Sequence, residues 1–98
     1  MIIVTGSILV RSDSLEKMLA ASLEHVRRSR TEPGCLAHAV HQDAENPLRL
    51  VFLEEWTDRA SLAAHFAVPA SREFVKTIRE LAAEPPQMNI YDATPVQF

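Results

Sequence analysis

Residues 32–74 read EPGCLAHAVHQDAENPLRLVFLEEWTDRASLAAHFAVPASREF, and the order of elements within them decides the fold. The turn Glu32-Pro33-Gly34-Cys35 feeds an extended run, Cys35 to Gln42. A second run, Leu48 to Trp56, follows the polar connection Asp43-Ala44-Glu45-Asn46-Pro47, so the two form a hairpin. Asp58 can cap a short helix that holds Leu62, His65 and Phe66. Pro69 breaks that helix, and Ser71 can cap another with Phe74, Val75, Ile78 and Leu81 inward. Trp56 then stands at a strand end, with His65 about two and a half helical turns further on. An aromatic surface and a titratable ring can thus face one cavity, as a small-molecule site needs.

On the N-terminal side, Ile2 to Val10 is rich in β-branched residues and reads as a strand. Ser12 or Ser14 can cap a helix with Asp13 and Glu16 in its first turn. Leu15, Met18, Leu19, Leu23 and Val26 give it an apolar stripe to about Arg30. On the C-terminal side, Glu84-Pro85-Pro86 ends the last helix and Met88 to Ala93 supplies a final strand. The order is β-α-β-β-α-β: an α+β, ferredoxin-like single domain over residues 1–98, its second helix split at Pro69 and its sheet antiparallel. By strand parity Leu50, Phe52, Glu54 and Trp56 share one face, while Val51 and Leu53 lie on the other. Ile2, Val4 and Ile8 likewise oppose Ile3 and Leu9, so both faces are apolar. The helices can cover one face only, and a homodimer is the simplest cover for the other.

Ninety-eight residues with 47% hydrophobic and 23% charged content fit one globular core. A net charge of -3 argues against a nucleic-acid partner, whose phosphates call for a basic surface. Arg27, Arg28 and Arg30 gather at a helix C-terminus, where the dipole favours cations without any phosphate. One cysteine, Cys35, leaves no internal disulfide. No apolar run reaches the roughly 18 residues a membrane span needs, and Met1-Ile2-Ile3-Val4 lacks the basic segment of a signal peptide. The expected location is the cytoplasm.

Few residues can carry chemistry. The Trp56 indole can stack on a planar substrate and donate one hydrogen bond, or simply fill the core. His65 borders an apolar stripe and can exchange a proton near neutral pH; alternatively it bonds a carbonyl or the Glu54 carboxylate. His38 shares parity with Leu36 and Val40, whereas His41 points the other way, so the two cannot chelate one ion. With His25 apart on a helix and no His-x-x-x-His or cysteine pair, no metal site is expected. Glu54 and Glu55 face opposite sides and are no acid/base dyad; Arg72 is the nearest candidate cation for Glu54. With two glycines in the chain there is no dinucleotide fingerprint or P-loop, and no Cys-x-x-Cys-His for haem, so no cofactor is expected.

The pattern Glu-Pro-Gly-Cys, then Glu-x-Trp, then a helix with Leu-x-x-His falls here on Glu32 to Cys35, Glu54 with Trp56, and Leu62 with His65. In this the chain resembles the antibiotic biosynthesis monooxygenase family, and with the flanking elements the likeness spans nearly the whole chain. The resemblance implies sheets paired back to back in a dimeric α+β barrel. It also implies cofactor-independent oxidation by dioxygen of a small aromatic, hydroquinone- or anthrone-like substrate. On that reading His65 is the base or oxyanion partner and Trp56 the stacking wall. Phe52 and Phe66 line the pocket, His38 is a second candidate base, and Glu54 and Arg72 complete the substrate-binding set. Phe52 stands where polyketide-oxidising members carry an asparagine. The stretch Ser71 to Ala83 lacks the iron-binding histidine of haem-degrading members, so haem degradation is not supported. An isomerase of a small phosphorylated metabolite and a non-catalytic ligand-binding or dimerisation module are the alternatives. RNA binding is disfavoured by charge and by the missing aromatic cluster.

Overall fold

The alternation in Ile2–Leu9 and Arg49–Trp56 does make strands, and their even-numbered side chains make the core. The computed structural model describes all 98 residues. It consists of β1 (Ile2–Leu9), a short 3-10 turn at Ser12–Ser14, α1 (Leu15–Ser29), β2 (Cys35–Gln42), β3 (Arg49–Trp56), α2 (Arg59–Ala67), α3 (Pro69–Leu81) and β4 (Gln87–Asp92). The sheet is antiparallel throughout in the order β2-β3-β1-β4, the ferredoxin-like arrangement expected from the sequence. No helix is long and apolar enough to cross a membrane.

Register explains which residues meet. Val4 lies opposite Glu54 and Ile90, Gly6 opposite Phe52 and Met88, and His38 opposite Glu54. All of these point to the helix-covered face. Two apolar clusters form there. One joins Ile8, Val10, Met18, Val26, Leu50, Phe52, Phe74 and Leu81; the other joins Ile2, Val4, Trp56 and Leu62.

Three local details depart from the periodic reading. The buried face of α1 is Met18, Ser22, His25, Val26 and Ser29, so it is rotated away from Leu23, which is exposed. Helix α3 starts at Pro69, with Val68 as its cap, because proline's fixed φ suits the first helical position. Ser71 is therefore not a cap; it is buried, and its Oγ accepts from Arg28 at 3.1 Å. A register shift between Cys35 and Ala37 turns Leu36 out to solvent, off the parity it was expected to share with His38. Asp58 does cap α2, accepting from the Ser61 N–H at 2.8 Å.

The opposite face of the sheet carries no helix. Leu53 and Tyr91 are exposed there beside the half-buried Ile3 and Val51. A second copy of the chain is expected to cover this strip. Sedimentation at micromolar concentration should give twice the 11.0 kDa chain mass. Leu53→Asp should shift that species to monomer without loss of helix content, and a native monomer would remove the basis for the pairing.

Candidate active site

The helix-covered side of the sheet is not fully packed. Between α3 and the β1–β4 half of the sheet lies a cavity of about 560 Å³, within the size range of small-molecule sites. Val4, Gly6, Ile8 and Phe52 form its floor, and Phe74, Val75 and Ile78 its roof. Gly6 keeps the floor low, since a Cβ there would rise beside Phe52 and the Gln87 carbonyl. Phe66, Met88 and the exposed Arg72 and Arg79 form the rim, and neither arginine has an ion-pair partner.

The polar end of this cavity is made by His25, Glu54, His65 and Ser71. It is built on the Glu32-Pro33-Gly34-Cys35 turn. Gly34 has φ of 82°, and a Cβ on it would run into the Ser61 side chain and Thr57 Oγ1 at the head of α2. The Gly34 carbonyl accepts the Thr57 N–H at 2.9 Å. This close seating lets Glu32 reach across to α2, where its Oε1 accepts from His65 Nδ1 at 2.8 Å. A carboxylate on Nδ1 holds the proton there and leaves the lone pair of the neutral ring on Nε2. Glu32 Oε2 stands 3.9 Å from Arg28 Nε.

Arg28 in turn governs His25. Its Nη2 is 2.8 Å from His25 Nδ1 and can only donate, so Nδ1 is the acceptor and the ring proton sits on Nε2. Phe74 stacks on the same ring at 4.0 Å between centroids and 11° between planes. Burial first, then the neighbouring His38, His65 and Arg28, pulls the His25 pKa down to about 3, so the ring is neutral at any ordinary pH. His25 Nε2 and His65 Nε2 have no partner within the protein yet are not sealed from the cavity. The cavity end therefore presents one fixed N–H and one lone pair, on rings whose centroids are 5.3 Å apart.

Trp56 and His38 lie behind this wall. Trp56 is fully buried, does not line the cavity, and donates its indole N–H to Glu54 Oε1 at 2.9 Å. The stacking role expected of it fails, because its faces are spent on packing, with the His65 ring centroid 4.7 Å away. His38 is also sealed, so it cannot be a base for a bound molecule. Its Nε2 is 3.3 Å from Glu54 Oε1 without the alignment of a hydrogen bond, and Nδ1 has no partner. Burial pushes the Glu54 carboxyl up, but His38, the Trp56 donor and His65 outweigh it and hold the group below its usual value.

Phe52, Glu54, His65, Phe66 and Arg72 do line one cavity, whereas Arg72 makes no bond to Glu54. His25 and Glu32 were not foreseen as site residues. The signals for Glu32 are the glycine turn behind it and its place in the Glu-Pro-Gly-Cys pattern. Nor does strand parity reveal that His25, His38 and His65 converge from three elements, with nitrogens within 4.8 Å of one another. That spacing is compatible with a shared ion. Arg28 opposes it, because a guanidinium on His25 Nδ1 leaves the other nitrogen protonated and without a lone pair.

The sequence profile of the antibiotic biosynthesis monooxygenase family matches residues 1–77. An uncharacterised protein of Synechocystis is 35% identical over 96 residues, covering 98% of this chain, and the chain spans 65% of that relative's length. A crystal structure of an antibiotic biosynthesis monooxygenase is 30% identical, with a TM-score of 0.89 over 97% of this chain and 100% of its own. A conserved protein of Methanosarcina mazei is 27% identical, with a TM-score of 0.90 over 95% of this chain and 92% of that one.

Two measurements check the site's construction. The unfolded chain binds a proton on His25 near pH 6.5 that the folded chain refuses until about 3, so stability must fall as pH drops through that window. Urea unfolding should show a loss of roughly 2–3 kcal/mol between pH 7 and 4.5 from this group, removed in His25→Phe. Gly34→Ala forces a side chain into a left-handed turn and into Ser61. It should destabilise the chain by about 1–3 kcal/mol and release His65 from Glu32, seen as a changed His65 imidazole NMR signal.

Proposed function

Because the chain belongs to the antibiotic biosynthesis monooxygenase family, we propose that it is a cofactor-independent monooxygenase acting on a small aromatic, hydroquinone- or anthrone-like substrate. The observation that carries this reading is the His65–Glu32 pair at the end of an apolar cavity. A base fixed by a carboxylate, facing a cavity with apolar floor and roof, is what oxidation by substrate electrons needs. His65 Nε2 takes a proton from the bound ring system, which becomes electron-rich enough to reduce dioxygen itself. For an anthrone, one oxygen atom becomes the new carbonyl, and the other leaves as water with the two methylene hydrogens. Phe52, Phe66 and Phe74 hold the rings, and Arg72 at the rim attracts the anionic form.

A second reading has its own support. A lone pair on His65 and an N–H on His25 at one cavity end suit proton transfer between neighbouring carbons, with Arg72 and Arg79 for a phosphate. That is the isomerase alternative, and it differs in consuming no oxygen.

An oxygen electrode with anthrone and with a simple hydroquinone decides between them. Protein freed of metal and flavin should consume oxygen, and His65→Ala should lower kcat by about 10²–10⁴-fold with the fold intact. Glu32→Gln should cost less, since it misorients the ring without removing it. Full activity in His65→Ala, or activity only after flavin or iron is added, would falsify the mechanism.

A further inference from the structure

We propose that His25 is a second catalytic residue, its Nε2–H donating to the substrate's carbonyl oxygen while His65 Nε2 removes a proton from carbon, so that the reaction passes through an enolate. This rests on the base role of His65 but not on any use of oxygen. Three features of the ring support it. Arg28 on Nδ1 leaves the proton nowhere but Nε2, Phe74 fixes the ring plane, and Nε2 reaches the cavity with no partner of its own. A neutral imidazole is the better electrophile here. It is the form the ring takes at working pH, and it polarises a carbonyl without adding a buried charge.

The step is balanced within the substrate. The C–H bond breaks and its proton goes to His65 Nε2. The freed pair forms the carbon–carbon double bond, and the carbonyl π pair moves to the oxygen that His25 holds. No oxidant is required to reach this point, and dioxygen or a returning proton then decides the product. The substrate class narrows accordingly to molecules with a carbonyl conjugated with, or adjacent to, an acidic C–H. Arg28 is a positioning residue: it sets the His25 tautomer, and it also bonds Ser71 and faces Glu32.

The test separates enolisation from oxidation. Anthrone incubated with the protein in D2O under nitrogen should exchange its methylene protons faster than in buffer, followed by proton NMR. His25→Phe keeps a ring against Phe74 but has no donor, and should lose about 10²–10³-fold of that rate. Independently, 15N NMR of the native protein should show His25 protonated on Nε2 alone, and Arg28→Met should turn this into a mixture of tautomers with slower exchange. The inference is overturned by a native protein that does not accelerate exchange, by His25→Phe exchanging at the native rate, or by an Nδ1 proton on His25. Exchange that depends on both histidines without oxygen uptake in air sustains it and removes only the oxidase reading.

Discussion

The arrangement of the cavity end depends on one carboxylate. Glu32 accepts from His65 with one oxygen and faces the Arg28 guanidinium with the other, and Arg28 sets the proton on His25. Two imidazoles on separate helices thereby take opposite roles, one offering a lone pair and one an N–H. A single ionised group can do this because it lies between α1 and α2, at the end of the turn that joins α1 to β2. That location exists because Gly34 has no side chain to hold the turn away from Ser61. The glycine's conformational freedom thus has a chemical consequence two elements away.

Burying so many polar groups is costly, and the fold offsets part of the cost by pairing many of them. Ser29 bonds the His25 carbonyl at 2.6 Å, Arg30 bonds the His38 carbonyl at 2.9 Å, and Trp56 bonds Glu54. The arginines at the end of α1 therefore serve more than the helix dipole, since Arg28 and Arg30 each reach a residue of the buried cluster. The polar group also bridges the two apolar clusters, with His25 stacked on Phe74 on one side and Trp56 beside His65 on the other. Removing any one partner would leave a buried donor or acceptor unmade, which costs more than the bond itself contributes. The pairing is incomplete at both nitrogens of His38, at Ser22 Oγ, and at the Arg28 Nε and Glu32 Oε2 atoms, which face one another beyond hydrogen-bond distance.

What could be read from the sequence was what repeats along the chain. Alternation in β1 and β3, the hairpin between Gln42 and Arg49, and the split at Pro69 each follow from neighbours in sequence, and the structure has them. Strand parity also placed Phe52 and Glu54 on the face where the cavity lies. It failed for Trp56 and His38. Sharing a face does not say whether a helix packs directly above that point or stands off it, as α3 does over β1 and β4. His25 and Glu32 were invisible for a related reason. Glu32 meets His65, 33 positions away, and no periodicity links a turn to a helix that distant; His25 meets Arg28 at ordinary helical spacing, but nothing in that spacing says the pair faces a cavity.

The shape of the cavity limits how a ligand can lie in it. Its lining on α3 runs from Ser71 to Arg79, about 12 Å along the helix axis, the span of several fused rings. Both unpartnered imidazole nitrogens are at one end, while Ile78, Arg79, Pro86 and Met88 are at the other. On the proposed reading a flat molecule would lie with its reacting carbonyl toward α1 and α2 and its apolar or anionic tail toward β4. On that far side every residue of β4 is exposed, so the wall nearest the tail is the least constrained part of the site. On the proposed reading, substrate range is set by what Met88 and Arg79 tolerate and the chemistry by His25 and His65. The two lie at opposite ends of the cavity, which lets either change without rebuilding the other.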